Sequence, residues 1–224
     1  MEKNAGSAGI FAKNNARKHC AGVAGMLQLS CTQKPASHDR QNGSKRCHGK
    51  GDFGMKVAMI GHKDFPSRSG GVEVMVGGLA VSLVRRGYEV TVYNRGLQKG
   101  HNVYTTEGVQ ARRIFTFQKA ALNAMVYSFL ATFDALIRNY DVIHYHAIGP
   151  SVPLVIAKLF GKHTVCTVHG LNWKVDKWGG FASAYLKLGE RVAAKYADDL
   201  VVLSESEWNY FQEKYDRTAI LIPN

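Results

Sequence analysis

From residue 55 onward, short runs of consecutive apolar residues alternate with longer segments in which apolar residues recur every three to four positions. The short runs are rich in Val and Ile and do not alternate between apolar and polar positions. Such runs are typical of strands that are covered on both faces of a parallel sheet. The pattern therefore predicts strands over residues 56–61, 89–93, 142–146, 164–169, 200–204 and 219–222.

The longer segments predict amphipathic helices between these strands. Val76, Leu79 and Leu83 share one face of the first helix, and Gly87 follows as a typical helix stop. Two short strands are expected within residues 104–115, around Glu107-Gly108. Regular alternation of strands and helices predicts an α/β fold with a doubly wound parallel sheet, a Rossmann-like domain. The predicted helices cover residues 72–86, 117–139, 150–160, 181–196 and 205–215.

Residues 1–54 differ in composition from the rest of the chain. They are rich in Gly, Ser, Asn and Lys, and their apolar residues follow no sustained period. About half of the net charge of +12 falls in this quarter of the chain. We therefore predict a disordered basic extension over residues 1–54 and a folded domain over residues 55–224, with Met55 resembling a natural chain start.

The charge and the cysteines narrow the function classes. Because the excess of basic residues is concentrated in the extension and is not interleaved with aromatic residues, we expect no nucleic-acid partner. Of the 4 cysteines, all but Cys166 lie in the extension, at spacings that fit no zinc motif, so we expect no metal. Cys166 lies alone in an apolar run, which suits a reducing, cytoplasmic compartment.

The most apolar helix candidate, residues 117–139, raises the question of a membrane. No segment reaches the roughly 18 consecutive apolar residues of a membrane span. Apolar residues lie close to Arg112, Arg113 and Lys119, so this helix either contacts an anionic bilayer surface or is a buried crossover helix, which we favour. The apolar residues in question are Phe115, Phe117, Leu122, Met125, Tyr127 and Phe129.

The loop after the first predicted strand ends in two glycines, Gly70 and Gly71, and Glu73 follows in the first turn of the next helix. In doubly wound sheets, ligands bind outside the carboxyl ends of the strands. Glycines at a helix N-terminus let backbone amides approach an anion, which the helix dipole also favours. The alternative is a loop that needs glycine only for its turns, and neither a dinucleotide fingerprint nor a P-loop is present.

Two histidines, His146 and His169, stand at the ends of neighbouring predicted strands and are expected to converge on one cleft. No cysteine or carboxylate accompanies them at metal-ligand spacing, so acid–base catalysis or hydrogen bonding to a hydroxylated ligand is favoured over a metal centre. The alternative is a structural role in capping loops. Ser204, at another strand end, is interpreted as a helix N-cap.

Six stretches follow one another along the chain: residues 56–61, 69–73, 86–92, 144–151, 167–173 and 222–224. Together they resemble the N-terminal, acceptor-side domain of glycosyltransferase family 4, a retaining family with the GT-B fold. The resemblance extends from residue 55 to residue 224 and is greatest to the bacterial rhamnosyltransferase-like branch. Each stretch alone is only weak evidence for this family, but all of them in this order and at the family's ordinary spacing are strong evidence.

The resemblance implies that this domain is one Rossmann-like half of a GT-B enzyme. Gly70, Gly71 and Glu73 would then lie on the side of the donor diphosphate, and His169 would be the catalytic residue beside the donor sugar. The implied reaction moves a hexosyl or rhamnosyl group, with retention, from a nucleotide-diphosphate sugar, which is a co-substrate. The resemblance implies no metal and no resident cofactor.

On the acceptor side, the resemblance implies a cleft lined by His146, Asn172 and Trp173. The acceptor would be a glycan or lipid-linked molecule in cell-surface polysaccharide synthesis, reached at the inner face of the membrane. Family members continue beyond the position of Asn224 into a donor domain, so we expect these 224 residues alone to be inactive. The alternative function is a non-catalytic half-enzyme or interaction module that needs a separate donor-domain partner.

Overall fold

The computed structural model describes residues 54–96, 103–117, 120–171 and 180–223. The strands are β1 (Lys56–Ile60), β2 (Glu89–Gly96), β3 (Val103–Thr106), β4 (Val109–Phe115), β5 (Val142–His146), β6 (His163–Thr167), β7 (Asp199–Val202) and β8 (Ile220–Leu221). The helices are α1 (Gly71–Arg85), α2 (Ala120–Ile137), α3 (Leu154–Leu159), α4 (Gly180–Tyr196) and α5 (Glu205–Tyr215). The predicted extension, apart from Gly54, lies outside the described residues.

The strands form one sheet in the order β3-β4-β2-β1-β5-β6-β7-β8. The β3 strand is antiparallel to β4, and the other neighbouring strands are parallel. The chain places β2, β3 and β4 on one side of β1 and then crosses to the other side, where β5 to β8 follow in order. The strand order therefore reverses between β1 and β5. A crevice opens at such a reversal, outside the carboxyl ends of the strands.

Helices cover both faces of the sheet, as the doubly wound prediction requires. Helix α1 buries Val76, Leu79 and Leu83 against one face. On the other face, Ala131 of α2, Leu154 of α3 and helices α4 and α5 pack into a second apolar cluster. Each fully buried Leu or Val side chain contributes roughly 1.5–3 kcal/mol to folding. The sheet is thus held rigidly between helices, which fixes the positions of its strand ends.

Most predicted strand boundaries differ from the structure by one or more residues, and two of the differences affect the candidate site. The β2 strand continues to Gly96 because Asn94, Arg95 and Gly96 pair with the parallel strand β4. The β6 strand ends at Thr167, and the chain turns away at Gly170, where φ is +92°. His169 therefore lies beyond the strand end instead of within it.

Helix α2 is the crossover helix that the sequence predicts. Two of the residues that the alternative interpretation places on a bilayer surface are buried. The ring of Tyr127 has no exposed surface, and its hydroxyl donates to the carbonyl oxygen of Tyr93. Arg112 is also buried, with its Nε 3.0 Å from a carboxylate oxygen of Asp134. A bilayer-facing role for Tyr127 and Arg112 is therefore wrong. In the part of the chain that the structure describes, no helix has the length and apolarity to cross a membrane.

Candidate functional site

The carboxyl ends of β1 and β5 approach each other so closely that only glycine fits at position 61. Gly61 has a φ of +129°, and a Cβ atom there would lie 2.1 Å from the carbonyl oxygen of His146. On the side of His146 that faces β6, the amide of the next residue, Ala147, donates to the carbonyl oxygen of Thr167 at 2.8 Å. His146 is therefore fixed in place from β1 and from β6.

Helix α1 begins at this edge with an open N-terminus. Gly70 is the N-cap, with an extended φ of −165° that any residue adopts and without a side-chain cap hydrogen bond. A Cβ atom on Gly71 would meet nothing within 4 Å. The first amides of a helix lack intrahelical acceptors, and the helix dipole makes this end positive. Gly71 thus leaves free space beside donors that favour an anion.

Glu73 brings a carboxylate into the same place. It is buried in the first turn of α1, and its Oε1 accepts from the amide of Lys63 at 3.3 Å. A Cβ atom on Gly70 would lie 2.4 Å from Oε2 of Glu73, so the glycine makes room for the carboxylate. The negative charge of Glu73 acts on His169, where it raises the pKa against the opposing effect of burial.

The two predicted histidines converge. Nδ1 of His146 lies 3.3 Å from Nε2 of His169, and the ring centroids are 5.6 Å apart. His144, two residues earlier on the same side of β5, lies with its ring centroid 4.1 Å from that of His146. Its Nε2 is 2.8 Å from the hydroxyl of Thr167. His146 has no exposed surface, whereas His169 is partly exposed.

Burial keeps these imidazoles neutral. Desolvation, together with the nearby His169, lowers the pKa of His144 to about 3. Desolvation also lowers the pKa of His169 to about 4 and that of His146 well below 6.5. At neutral pH each ring therefore carries one N–H donor and one acceptor nitrogen. The arrangement is suited to hydrogen bonding with hydroxyl groups.

Three further residues lie at this edge that the sequence analysis did not single out: His62, Asn94 and Arg95. His62 is buried, with its Nε2 2.9 Å from Oδ1 of Asn94. Arg95 donates from Nη2 to the carbonyl oxygen of Gly61 at 2.9 Å and lies over the ring of Tyr127. All three follow directly after the predicted strands 56–61 and 89–93. The criterion that selected His146 and His169 would therefore have selected them too.

Two predicted acceptor residues, Asn172 and Trp173, lie outside the described residues. The structure brings His146, His169 and the segment from Gly70 to Glu73 to one edge of the sheet. Ser204 caps helix α5, as expected, by accepting from the amide of Glu207. Within the described ranges, no three His, Cys, Asp or Glu side chains are grouped to hold a metal ion.

Comparison with known proteins supplies the family. The sequence profile described as Glycosyltransferase Family 4 matches residues 69–224. Sucrose-phosphate synthase from Thermosynechococcus elongatus has a similar structure, with 19% identity and a TM-score of 0.59 over 75% of this chain and 48% of that chain. A second structure of that enzyme has 14% identity and a TM-score of 0.53 over 76% of this chain and 88% of that one.

The search of curated proteins gave no match. This chain spans about half of the first sucrose-phosphate synthase chain. Likeness at such low identity shows the fold alone, and it confirms the α/β fold of the GT-B glycosyltransferases. The sequence profile covers more than half of the chain. The chain therefore belongs to glycosyltransferase family 4.

Proposed function

We propose that this domain serves the transfer of a sugar from a nucleotide-diphosphate sugar to a hydroxylated acceptor, together with a donor domain, and that the edge described above contributes to binding both substrates. One observation carries the proposal: in a family 4 domain, an open helix N-terminus, a buried carboxylate and a partly exposed neutral histidine meet at the reversal of strand order. Such reversals are where doubly wound sheets bind ligands.

The donor diphosphate is assigned to the start of helix α1. Its charge suits the positive end of the helix dipole, and the absence of a Cβ at Gly71 lets phosphate oxygens approach the amides. In the transfer step, the same amides would stabilise the negative charge that develops on the leaving diphosphate. Glu73 is itself negative, so we assign it to donor hydroxyl groups beside the phosphates instead of to the phosphates themselves.

His169 is assigned to the transferred sugar and His146 to the acceptor side. Because His169 is neutral and partly exposed, it would hold a sugar hydroxyl by hydrogen bonding and orient the reacting carbon. We further propose retention of configuration, a hexosyl or rhamnosyl donor and a glycan or lipid-linked acceptor in polysaccharide synthesis. The resemblance to the rhamnosyltransferase-like branch supports these finer assignments, and it also supports a reaction without a resident metal or cofactor.

A lipid-linked acceptor implies contact with the cytoplasmic face of a membrane, for which we propose the outer side of α2. Leu130, Phe133 and Ile137 are exposed there at helical spacing. Flotation with vesicles containing anionic lipid tests this contact. We expect Phe133→Ser to reduce binding several-fold and Val74→Ser, an exposed change on α1, to leave it unchanged. Equal binding of both variants would contradict the contact.

Nucleotide-sugar binding tests the proposed function with two matched glycines of α1. Gly71 and Gly78 are both exposed, and a Cβ atom at either would meet nothing within 4 Å. We expect Gly71→Ala to weaken binding about tenfold, which is about 1.4 kcal/mol, because the methyl group enters the space for the phosphates. Gly78→Ala, two turns away, should bind as the unchanged protein does.

The measurement is isothermal titration with UDP-glucose, GDP-mannose and dTDP-rhamnose. Binding of at least one of them, with the expected loss in Gly71→Ala, supports the proposal. If none of the three binds, or if the two alanine variants bind equally well, the assignment of the diphosphate to the start of α1 is wrong.

A further inference from the structure

His146 is buried between two other histidine rings and is itself hydrogen bonded to His169. Its Nδ1 faces Nε2 of His169 at 3.3 Å, and its own Nε2 has no hydrogen-bond partner among the described residues. The close approach of Gly61 to its carbonyl oxygen leaves its backbone no room to move. The position of the ring is therefore determined by the fold, before any ligand binds.

A hydrogen bond between two neutral imidazoles has one donor and one acceptor, so only two proton arrangements are open. In the first, His146 donates from Nδ1 and His169 accepts at Nε2, and His169 then carries its proton on Nδ1. In the second, His169 donates from Nε2, and His146 must then carry its proton on its own Nε2. In the first arrangement, Nδ1 of His169 is a hydrogen-bond donor toward the cleft, and in the second it is an acceptor.

Burial decides between them. In the second arrangement, the N–H at Nε2 of His146 would be buried without an acceptor among the described residues. In the first, that nitrogen holds only a lone pair. Among buried backbone groups, N–H groups without an acceptor are rarer than carbonyl groups without a full set of donors. We apply the same preference to the imidazole nitrogens. The first arrangement is therefore favoured.

We propose that His146 is a positioning residue that holds His169 in the Nδ1–H tautomer, so that His169 presents a hydrogen-bond donor to the cleft. The ring of His169 is the partly exposed one of the three, and its Nδ1 makes no hydrogen bond within the described part of the chain. Toward a sugar it donates to a hydroxyl oxygen and does not act as a base. That consequence rests on the proposed function, whereas the tautomer does not.

The test is a long-range ¹H–¹⁵N correlation spectrum of the histidine rings in the full chain at pH 7, without ligand. The nitrogen shifts and the pattern of cross-peaks distinguish the two neutral tautomers. We expect His169 to show a protonated Nδ1 and an unprotonated Nε2. The reverse pattern in the unchanged protein overturns the proposal by itself, whatever the behaviour of any variant.

Three variants separate positioning from packing. His146→Phe keeps a ring but removes the donor, and we expect His169 to lose its single-tautomer pattern. His146→Asn keeps an N–H donor near the same place and should retain the Nδ1–H pattern. His144→Phe is the control, because His144 contacts the ring of His146 but makes its hydrogen bond to Thr167.

If His169 keeps its single-tautomer pattern in His146→Phe, its tautomer does not depend on His146 and the proposal fails. Should that variant not fold, the unchanged protein and His146→Asn still decide. Because no ligand is present, a failure here leaves the glycosyltransferase proposal untouched. Conversely, the absence of nucleotide-sugar binding would leave the tautomer assignment standing.

Discussion

Two buried polar clusters of this domain differ in how completely their hydrogen bonds are made. Glu190, in helix α4, is buried, and its Oε1 accepts from Tyr210, Lys214 and Tyr215 at 2.8, 2.9 and 2.6 Å. A second cluster lies at the carboxyl ends of β1, β5 and β6, here called the carboxyl edge, and consists of four histidines: His62, His144, His146 and His169. This histidine cluster instead leaves Nδ1 of His62 and Nε2 of His146 without partners among the described residues. A cluster in which every group is bonded stabilises the fold, whereas a buried cluster with unmet hydrogen bonds needs another explanation.

Unmet hydrogen bonds of buried groups indicate where a ligand binds. Leaving buried polar groups unpaired costs free energy, and such costs are concentrated at functional sites. At the carboxyl edge, Gly71 is exposed to solvent and His169 is partly exposed, so a ligand can reach them. The carboxylate of Glu190, in contrast, is fully buried. We therefore interpret the Glu190 cluster as structural and the histidine cluster as the supporting shell of a ligand site.

Acid should affect the histidine cluster most. Burial lowers the pKa of His62 to about 4 and that of His144 to about 3, from 6.5 in an unfolded chain. As the pH falls below about 6.5, the unfolded chain binds protons that the folded chain does not, so the free energy of unfolding falls. We expect a loss of about 1.4 kcal/mol per pH unit for each of these histidines, down to about pH 4.

Urea denaturation at several pH values measures this loss. His144→Phe removes one of the titrating groups and should flatten the profile between pH 6.5 and pH 4. A profile of the unchanged protein that is as flat as that of the variant would show that these imidazoles are not held neutral.

Removal of Glu190 should have the next largest effect. Glu190→Ala leaves Tyr210, Lys214 and Tyr215 without their shared acceptor, and we expect a loss of about 3 kcal/mol in the free energy of unfolding. Glu213→Ala, an exposed change in the same region, should stay within about 0.5 kcal/mol. Equally small losses in the two variants would show that the Glu190 cluster does not stabilise the fold.

Two glycines of the carboxyl edge provide a finer test by chemical denaturation. Gly61→Ala places a methyl group against the carbonyl oxygen of His146 at an unfavourable φ, and we expect a loss of about 2 kcal/mol. In Gly71→Ala, the new methyl group contacts no other atom, so the free energy of unfolding should stay nearly unchanged. Similar stability losses at the two positions would mean that Gly71 is structural and not kept for a ligand.

The sequence predicts the features that depend on local pattern. Apolar runs locate the strands, and the rule that ligands bind at the carboxyl ends of strands selects His146 and His169. The extension of β2 to Gly96 depends on pairing with β4, a contact between distant parts of the chain. The apolar pattern therefore ends the strand before Asn94 and Arg95, whereas the structure includes both in it.

The contacts of Glu73 show the same limit. Its carboxylate accepts from the amide of Lys63, ten residues earlier, and fills the space that Gly70 leaves. No periodicity in the sequence encodes this contact, because it depends on how the loop after β1 folds back onto helix α1. The donor and the acceptor in the bond between His146 and His169 likewise follow from burial in the folded protein, which the sequence does not display.

We expect the carboxyl edge to bind a nucleotide diphosphate and the Glu190 cluster not to bind one. Titration of the ¹⁵N-labelled chain with UDP, GDP and dTDP, followed by amide chemical shifts, tests it most directly. With at least one of these nucleotides, we expect shifts concentrated at Gly70, Gly71 and His169, and none at Glu190. Shifts confined to the Glu190 cluster, or no shifts at the carboxyl edge with any of the three at millimolar concentration, would contradict it.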